Sequence, residues 1–183
     1  MPMTNALPEP ATPGPIDQIG FVVADLDRSV AERTDKLGLG PWTVFRGVTL
    51  DGRYRGAPTR VAIDVALAYQ GDVQIELIQP TNAAASPYRS ADGAPLCGMH
   101  HMAWVVDDLD AAVAAATARG LSVVFEASNP STRVAYLEAE GDAGVLYEFI
   151  EGAGMREMIA AGIAAARGWD GRDPVTVIAI GEQ

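Results

Sequence analysis

The sequence predicts an α+β fold: two βαβββ modules forming one shared curled sheet around a cavity. Three observations predict it. Residues Ile16–Asp27 recur as Met99–Asp110 at a constant offset of 83, with Val-Val-x-Asp-Leu-Asp identical in both copies. Residues Val73–Ile78 recur as Val145–Ile150 at an offset of 72. Each copy also has the same grammar, a short apolar strand, an acidic cap, a helix, and then further strand-like runs.

The elements follow in order. Asp25 and Asp108 stand where a carboxylate can accept from the free N–H groups of a first helical turn, so helices are expected near Leu26–Lys36 and Leu109–Arg119. Gly38 and Gly120 follow as stop signals. Strands are expected at Trp42–Leu50, Arg60–Tyr69 and Val73–Gln79, then at Leu121–Glu126, Thr132–Glu138 and Val145–Ile150. A module of about 65 residues closes no core alone, so the two modules must share an interior. A helix from Ala153 to Arg167 carries Met155, Met158, Ile159 and Ile163 on one face, and Val175–Ile180 suits an edge strand. The chain thus divides into a Pro-rich arm (1–15), a first module (16–80), a crossover (81–98), a second module (99–152), and a C-terminal helix and tail (153–183). The arm holds five of the twelve prolines and is expected to be disordered. The crossover is long enough to act as a lid.

Composition narrows the function classes. Thirteen basic against 24 acidic residues leave a net charge of −11, a field that repels phosphate backbones and excludes a nucleic-acid binder. One cysteine, Cys97, excludes an intramolecular disulfide framework and a multi-thiolate zinc site. No apolar run reaches the roughly 18 residues of a membrane helix, and residues 1–15 carry no basic, apolar leader. A soluble cytoplasmic protein is expected.

Strand alternation then singles out four polar residues. Ile19, Phe21 and Val23 share the face that suits the module's helix, which turns Gln18 the other way. In the second copy Met102, Trp104 and Val106 face the helix, and His101 turns away. Val73, Ile75 and Leu77 oppose Glu76, just as Val145, Tyr147 and Phe149 oppose Glu148. Gln18 matches His101 and Glu76 matches Glu148, so all four point into one interior. Buried unpaired carboxylates cost several kcal/mol. A divalent cation resolves that cost, and three oxygens with one nitrogen suit Mn, Co, Ni, Zn or Mg. His100 is the competing ligand if the register slips by one, which flips every side chain. The helix-facing needs of Met102 and Trp104 favour His101.

Taken with Leu37–Trp42 and Gly144–Phe149, these segments resemble the vicinal oxygen chelate superfamily, which includes glyoxalase I, methylmalonyl-CoA epimerase, extradiol dioxygenases and bleomycin-resistance proteins. The resemblance covers about Ile16–Gly152. It implies metal ligands at Gln18, Glu76, His101 and Glu148, a set similar to that of eukaryotic-type glyoxalase I. It implies a metal-dependent proton-transfer enzyme, an epimerase, isomerase or lyase, that stabilises the enolate of a small carbonyl substrate. Glu148 and Glu76 are then the acid/base pair. Two alternatives accompany this reading. An extradiol-type dioxygenase needs two His and one Glu, and Gln18 in place of a first His makes iron less fitting. A bleomycin-resistance type of binding protein lacks metal ligands. A homodimer is a further expectation from the resemblance. Arg53 and Arg55 are candidates for binding a substrate carboxylate or phosphate. Cys97 has no activating charge nearby in sequence and reads as inert. Met155 and Met158 are expected to pack the C-terminal helix, with an apolar cavity mouth as their other possible role.

Overall fold

The computed structural model describes residues 14–141 and 144–180. The Pro-rich arm therefore lies outside the described residues, apart from Gly14 and Pro15.

Each module begins as its sequence dictates. In the first, β1 (Gln18–Val22) leads into α1 (Leu26–Leu37), then β2 (Trp42–Tyr54), β3 (Ala57–Gln70) and β4 (Val73–Pro80). In the second, β5 (Gly98–Val105) leads into α2 (Leu109–Thr117), then β6 (Leu121–Ser128), β7 (Thr132–Ala139) and β8 (Leu146–Gly152). Asp25 caps α1 by accepting from Arg28 N at 3.0 Å, and Asp108 caps α2 by accepting from Ala111 N at 2.9 Å. A second matched pair completes both N-termini: Gln79 Oε1 accepts from Leu26 N, and Glu151 Oε2 from Leu109 N. The two ends differ. Gly38 closes α1 in the left-handed region, whereas α2 stops at Ala118, two residues before Gly120 takes its positive φ.

The strands form one continuous sheet, as the repeat predicts. Its order is β3-β4-β1-β5-β8-β7-β6-β2-β9, and β3 also pairs with β2. Eight strands thus close into a ring. The modules join along two seams: β1 runs antiparallel to β5, and Asp51–Tyr54 of β2 pair with Phe125–Ser128 of β6. Alternation sorts the apolar residues into three clusters. Val22, Ile78, Ala103, Phe125, Tyr136 and Ile150 fill the ring's interior. Leu26 and Val30 of α1 pack outside it on Trp42 and Leu77, and Leu109 of α2 packs outside it with Trp104 and Phe149.

The C-terminal segment adds α3 (Met155–Gly168) and β9 (Val175–Ala179). The latter runs parallel to β2 along Trp42–Arg46, on the part of that edge which β6 leaves free. Helix α3 lies on β3, with Gly162 against the Tyr69 ring; a Cβ at Gly162 would come within 2.0 Å of Tyr69 Cε2. The crossover goes beyond a surface link, for it inserts Tyr88, 1% exposed, into the interior. Arg89 ties the crossover to itself and to the end of β4 through the carbonyls of Asn82, Gly93 and Pro80. Among the described residues no helix is long and apolar enough to cross a membrane.

The matched caps make a direct test of the duplication. Asp25→Ala and Asp108→Ala should each lower stability by about 1 kcal/mol, and the double variant by the sum, in urea denaturation. A loss confined to one cap would show that only one of the two helices depends on it.

Candidate metal centre and active site

The seam between β1 and β5 creates the site. β1 lies parallel to β4 with Gly20 beside Glu76, and β5 lies parallel to β8 with Ala103 beside Glu148. Gln18, Glu76, His101 and Glu148 all turn into the interior. His101 is 0% exposed, Glu148 3% and Gln18 4%, while Glu76 faces the open part of the ring. His101 Nε2 stands 3.2 Å from Gln18 Oε1, 3.2 Å from Glu76 Oε2 and 3.0 Å from Glu148 Oε2. The two carboxylates and the imidazole offer ligand atoms that all lie within 4.8 Å of one another.

The supporting residues fix what His101 presents. The pairing of β1 with β5 steps from Gly20↔His101 to Phe21↔Met99, so His100 is the extra residue of a bulge. Strict alternation would send His100 to the helix side, but the bulge turns it inward beside His101. His100 Nε2 lies 2.9 Å from Pro87 O, and its Nδ1 lies 2.9 Å from His101 Nδ1. A carbonyl only accepts, so His100 Nε2 carries a proton. Burial, then the charge on His101, hold the His100 pKa down at about 3, so this ring is neutral and its Nδ1 accepts. His101 Nδ1 must therefore donate, which leaves His101 Nε2 as the atom facing three oxygens.

Gln18 is held in the same way. Its Nε2 donates to Gln74 Oε1 at 2.7 Å, and Gln74 Nε2 donates to Tyr69 Oη at 2.6 Å, leaving Gln18 Oε1 toward His101. Gly20 makes room for the ring: a Cβ there would fall 1.9 Å from His101 Cε1.

Three oxygen acceptors converge on one nitrogen that has at most one proton to give. Glu148 Oε2 shows the deficit. It is buried and no hydrogen bond satisfies it, although His101 Nε2 stands 3.0 Å away. A divalent ion fits this arrangement, since bonds of about 2.1 Å keep adjacent ligands about 3.0 Å apart. Gln18 Oε1, Glu76 Oε2, His101 Nε2 and Glu148 Oε2 are the atoms that would hold it.

Without an ion the cluster must keep a proton. Burial alone depresses the His101 pKa, but the Glu148 and Glu76 carboxylates outweigh it and hold the ring up at about 9. Burial raises the Glu148 pKa, His101 opposes that, and Glu76 adds to it.

The carboxylates form the floor of a cavity of about 980 Å³ that also reaches Tyr88 and Tyr136. Tyr88 Oη and Tyr136 Oη stand 3.1 Å apart, and burial raises both pKa values well above the ordinary phenol. A second cavity, of about 1000 Å³, lies further along β7 and β8 toward Glu138 and Leu146, behind His100. Arg55 lines that second cavity, bound through both guanidinium nitrogens to Glu138 at 3.0 and 2.8 Å. Arg53 lines neither cavity and donates to Gly56 O. The structure thus places Arg53 and Arg55 away from the carboxylate floor. Cys97 is exposed at the second cavity. Of the two methionines, Met155 packs against the interior cluster, while Met158 lines the first cavity.

Two outcomes follow, the first for protein stripped of metal and the second for its titration with Mn²⁺. His101 has a folded pKa above its ordinary 6.5, so its stabilisation is complete below 6.5 and is lost as pH rises through 9. A raised carboxyl pKa at Glu148 acts in the same direction. Urea denaturation should therefore show stability falling from pH 6 to pH 9, with a shallower fall in His101→Gln; a flat profile would contradict the proton-bound cluster. Gly20→Ala should displace the imidazole and weaken Mn²⁺ binding at least ten-fold in calorimetric titration.

Comparison with known proteins places the chain in a family. No curated protein matches the chain significantly. Solved structures similar to it include a hypothetical protein from Bacillus halodurans, at 23% identity over 75% of this chain and 93% of that one, with a TM-score of 0.48. Methylmalonyl-CoA epimerase from Mycobacterium tuberculosis is 24% identical over 81% of this chain and 93% of its own, with a TM-score of 0.49. The Streptomyces coelicolor epimerase, solved with 2-nitronate-propionyl-CoA, is 23% identical over 75% and 94%, with a TM-score of 0.46. The sequence profile of one family matches residues 17–136, about two thirds of the chain, and by that match the protein belongs to the Glyoxalase/Bleomycin resistance protein/Dioxygenase superfamily.

Proposed function

We propose that the protein is a divalent-metal-dependent enzyme that moves a proton at a carbon next to a carbonyl, an epimerase, isomerase or lyase. The observation that carries this reading is the convergence of Gln18, Glu76 and Glu148 oxygens on His101 Nε2 at 3.0–3.2 Å. A bound cation would supply positive charge for the oxyanion that develops when the neighbouring C–H is deprotonated.

The chain's own groups supply the rest. Glu148 and Glu76 approach the same point from opposite modules, so each presents a carboxylate to a different side of the substrate carbon. One removes the proton and the other can return it to the opposite face. Burial raises the Glu148 pKa, which makes its carboxylate a stronger base than an exposed one. His100 and Gln74 hold His101 and Gln18 in the orientation that leaves Nε2 and Oε1 inward.

The same geometry speaks against the dioxygenase reading. Such a centre uses two histidines and one carboxylate. Here the second histidine has both ring nitrogens engaged, with His101 Nδ1 and with Pro87 O, and two carboxylates face the site instead.

Elemental mass spectrometry of untagged protein, purified without chelator, should find one Mn, Co, Ni or Zn per chain. Deuterium uptake from D₂O into α-substituted carbonyl compounds should then depend on that metal. Glu148→Gln and Glu76→Gln should each slow it by roughly 100-fold or more while the chain still folds. Full activity in both variants, or failure to take up any of these ions, would overturn the reading.

A further inference from the structure

The cavity above the carboxylates is built in three tiers. Glu76 and Glu148 form the floor, and Val65, Leu67, Ile78, Val134 and Ile150 line the walls. Met158 of α3 and Ile180, just beyond β9, line the cavity as well, and their exposure puts them at its mouth. Both lie in the C-terminal segment, outside the stretch that matches the family profile. Ile180 is fixed there by its N–H, which donates to Arg46 O at 3.0 Å. Met158 and Ile180 are 39% and 45% exposed, so the mouth presents apolar groups to whatever enters.

The charge of the cavity is as informative as its walls. Among the described residues that line it, Arg60 is the one cation, and Asp51 stands 3.8 Å from it. Three carboxylates, Asp51, Glu76 and Glu148, face the same space. The whole chain holds a single lysine, Lys36, and a net charge of −11. A ligand ending in phosphates would meet repulsion here, with no fork of arginines to hold it. The volume, about 980 Å³, lies at the upper end for a drug-sized ligand and far exceeds the need of a three- or four-carbon acid.

We propose that this site, read as the proton-transfer centre above, takes an uncharged and largely apolar carbonyl compound rather than a polyphosphate-tailed thioester. Met158 and Ile180 set that preference. The carbonyl end lies at the carboxylate floor, and the apolar body runs along the walls to the mouth. The unbranched, polarisable Met158 side chain adapts to its far end.

Titration calorimetry of the full chain loaded with Mn²⁺ tests this with two probes, 1-phenylpropane-1,2-dione and acetyl-CoA. The dione should bind at least ten-fold more tightly. Met158→Arg with Ile180→Arg should narrow that ratio at least ten-fold and leave Mn²⁺ affinity unchanged, a result that a merely structural role would not produce. Acetyl-CoA binding as tightly as the dione overturns the substrate class, and an unchanged ratio in the double variant overturns the role of the two residues. A separate arm uses metal-free protein and the fluorescence of N-phenyl-1-naphthylamine. Uptake that the dione displaces, in a chain that binds no Mn²⁺, would remove the metal reading while sustaining this one. Absence of uptake in both forms overturns it.

Discussion

One nitrogen facing three oxygens is the constraint on which the rest of this structure depends. His101 Nε2 can offer a single proton to Gln18, Glu76 and Glu148, and of these Gln18 and Glu148 are buried away from solvent. The surrounding residues hold that arrangement rather than relieve it. The bulge at His100 places a second imidazole behind the first, and Pro87 of the crossover fixes that imidazole's tautomer. Gly20 leaves the ring room against β1. Gln74 and Tyr69 hold the Gln18 amide, and α3 presses on Tyr69 through Gly162. Crossover, seam, sheet and C-terminal helix thus meet around one atom. A cluster that stores this much unsatisfied polarity is weakly explained by stability alone, since apolar residues in its place would cost less.

The duplication delivers four donors, and departures from it give them different surroundings. Gln18 and His101 are matched, as are Glu76 and Glu148. Yet Gln74, which orients Gln18, has Leu146 as its counterpart, and Gly20 has Ala103. Glu148 is the more enclosed carboxylate, with a side chain 4% exposed against 14% for Glu76. Two carboxylates of one origin therefore sit in unlike environments. That is the condition under which one can hold a different charge from the other, and under which an acid and a base can be told apart.

Much of this was legible in the sequence. The repeat at an offset of 83 gave the seam strands, and alternation turned Gln18, Glu76, His101 and Glu148 to one side without any coordinates. Gln74 was legible too, since it shares a face with Glu76 two residues away. His100 was not, because a bulge depends on how two strands meet across a seam, and one strand's pattern carries no trace of that. The closed ring was equally hidden: pairing of Gly52 with Ala127 joins elements 75 residues apart that no repeat relates. Arg53 and Arg55 show a third kind of limit. Their charge marks them as candidates for an anion, but a β2–β3 turn reaches whichever end of the ring the strand lengths dictate. β2 runs on to Tyr54, past its expected end at Leu50, and carries Arg55 to the cavity behind His100.

The division of labour between the repeated and unrepeated parts then explains why membership of this superfamily says little about a substrate. The repeat builds the ring and sets the ligand atoms, which is what a shared backbone can preserve at low identity. The volume above them is walled by β3, β7 and β8 and bordered by Met158 and Ile180, from a segment that follows the second copy and has no counterpart in the repeat. On the proposed reading, chemistry at the floor and selectivity at the mouth come from different stretches of chain. Changes in the C-terminal segment can reshape what enters while the four atoms below keep their own supports, His100 behind His101, Gly20 beside its ring and Gln74 on Gln18.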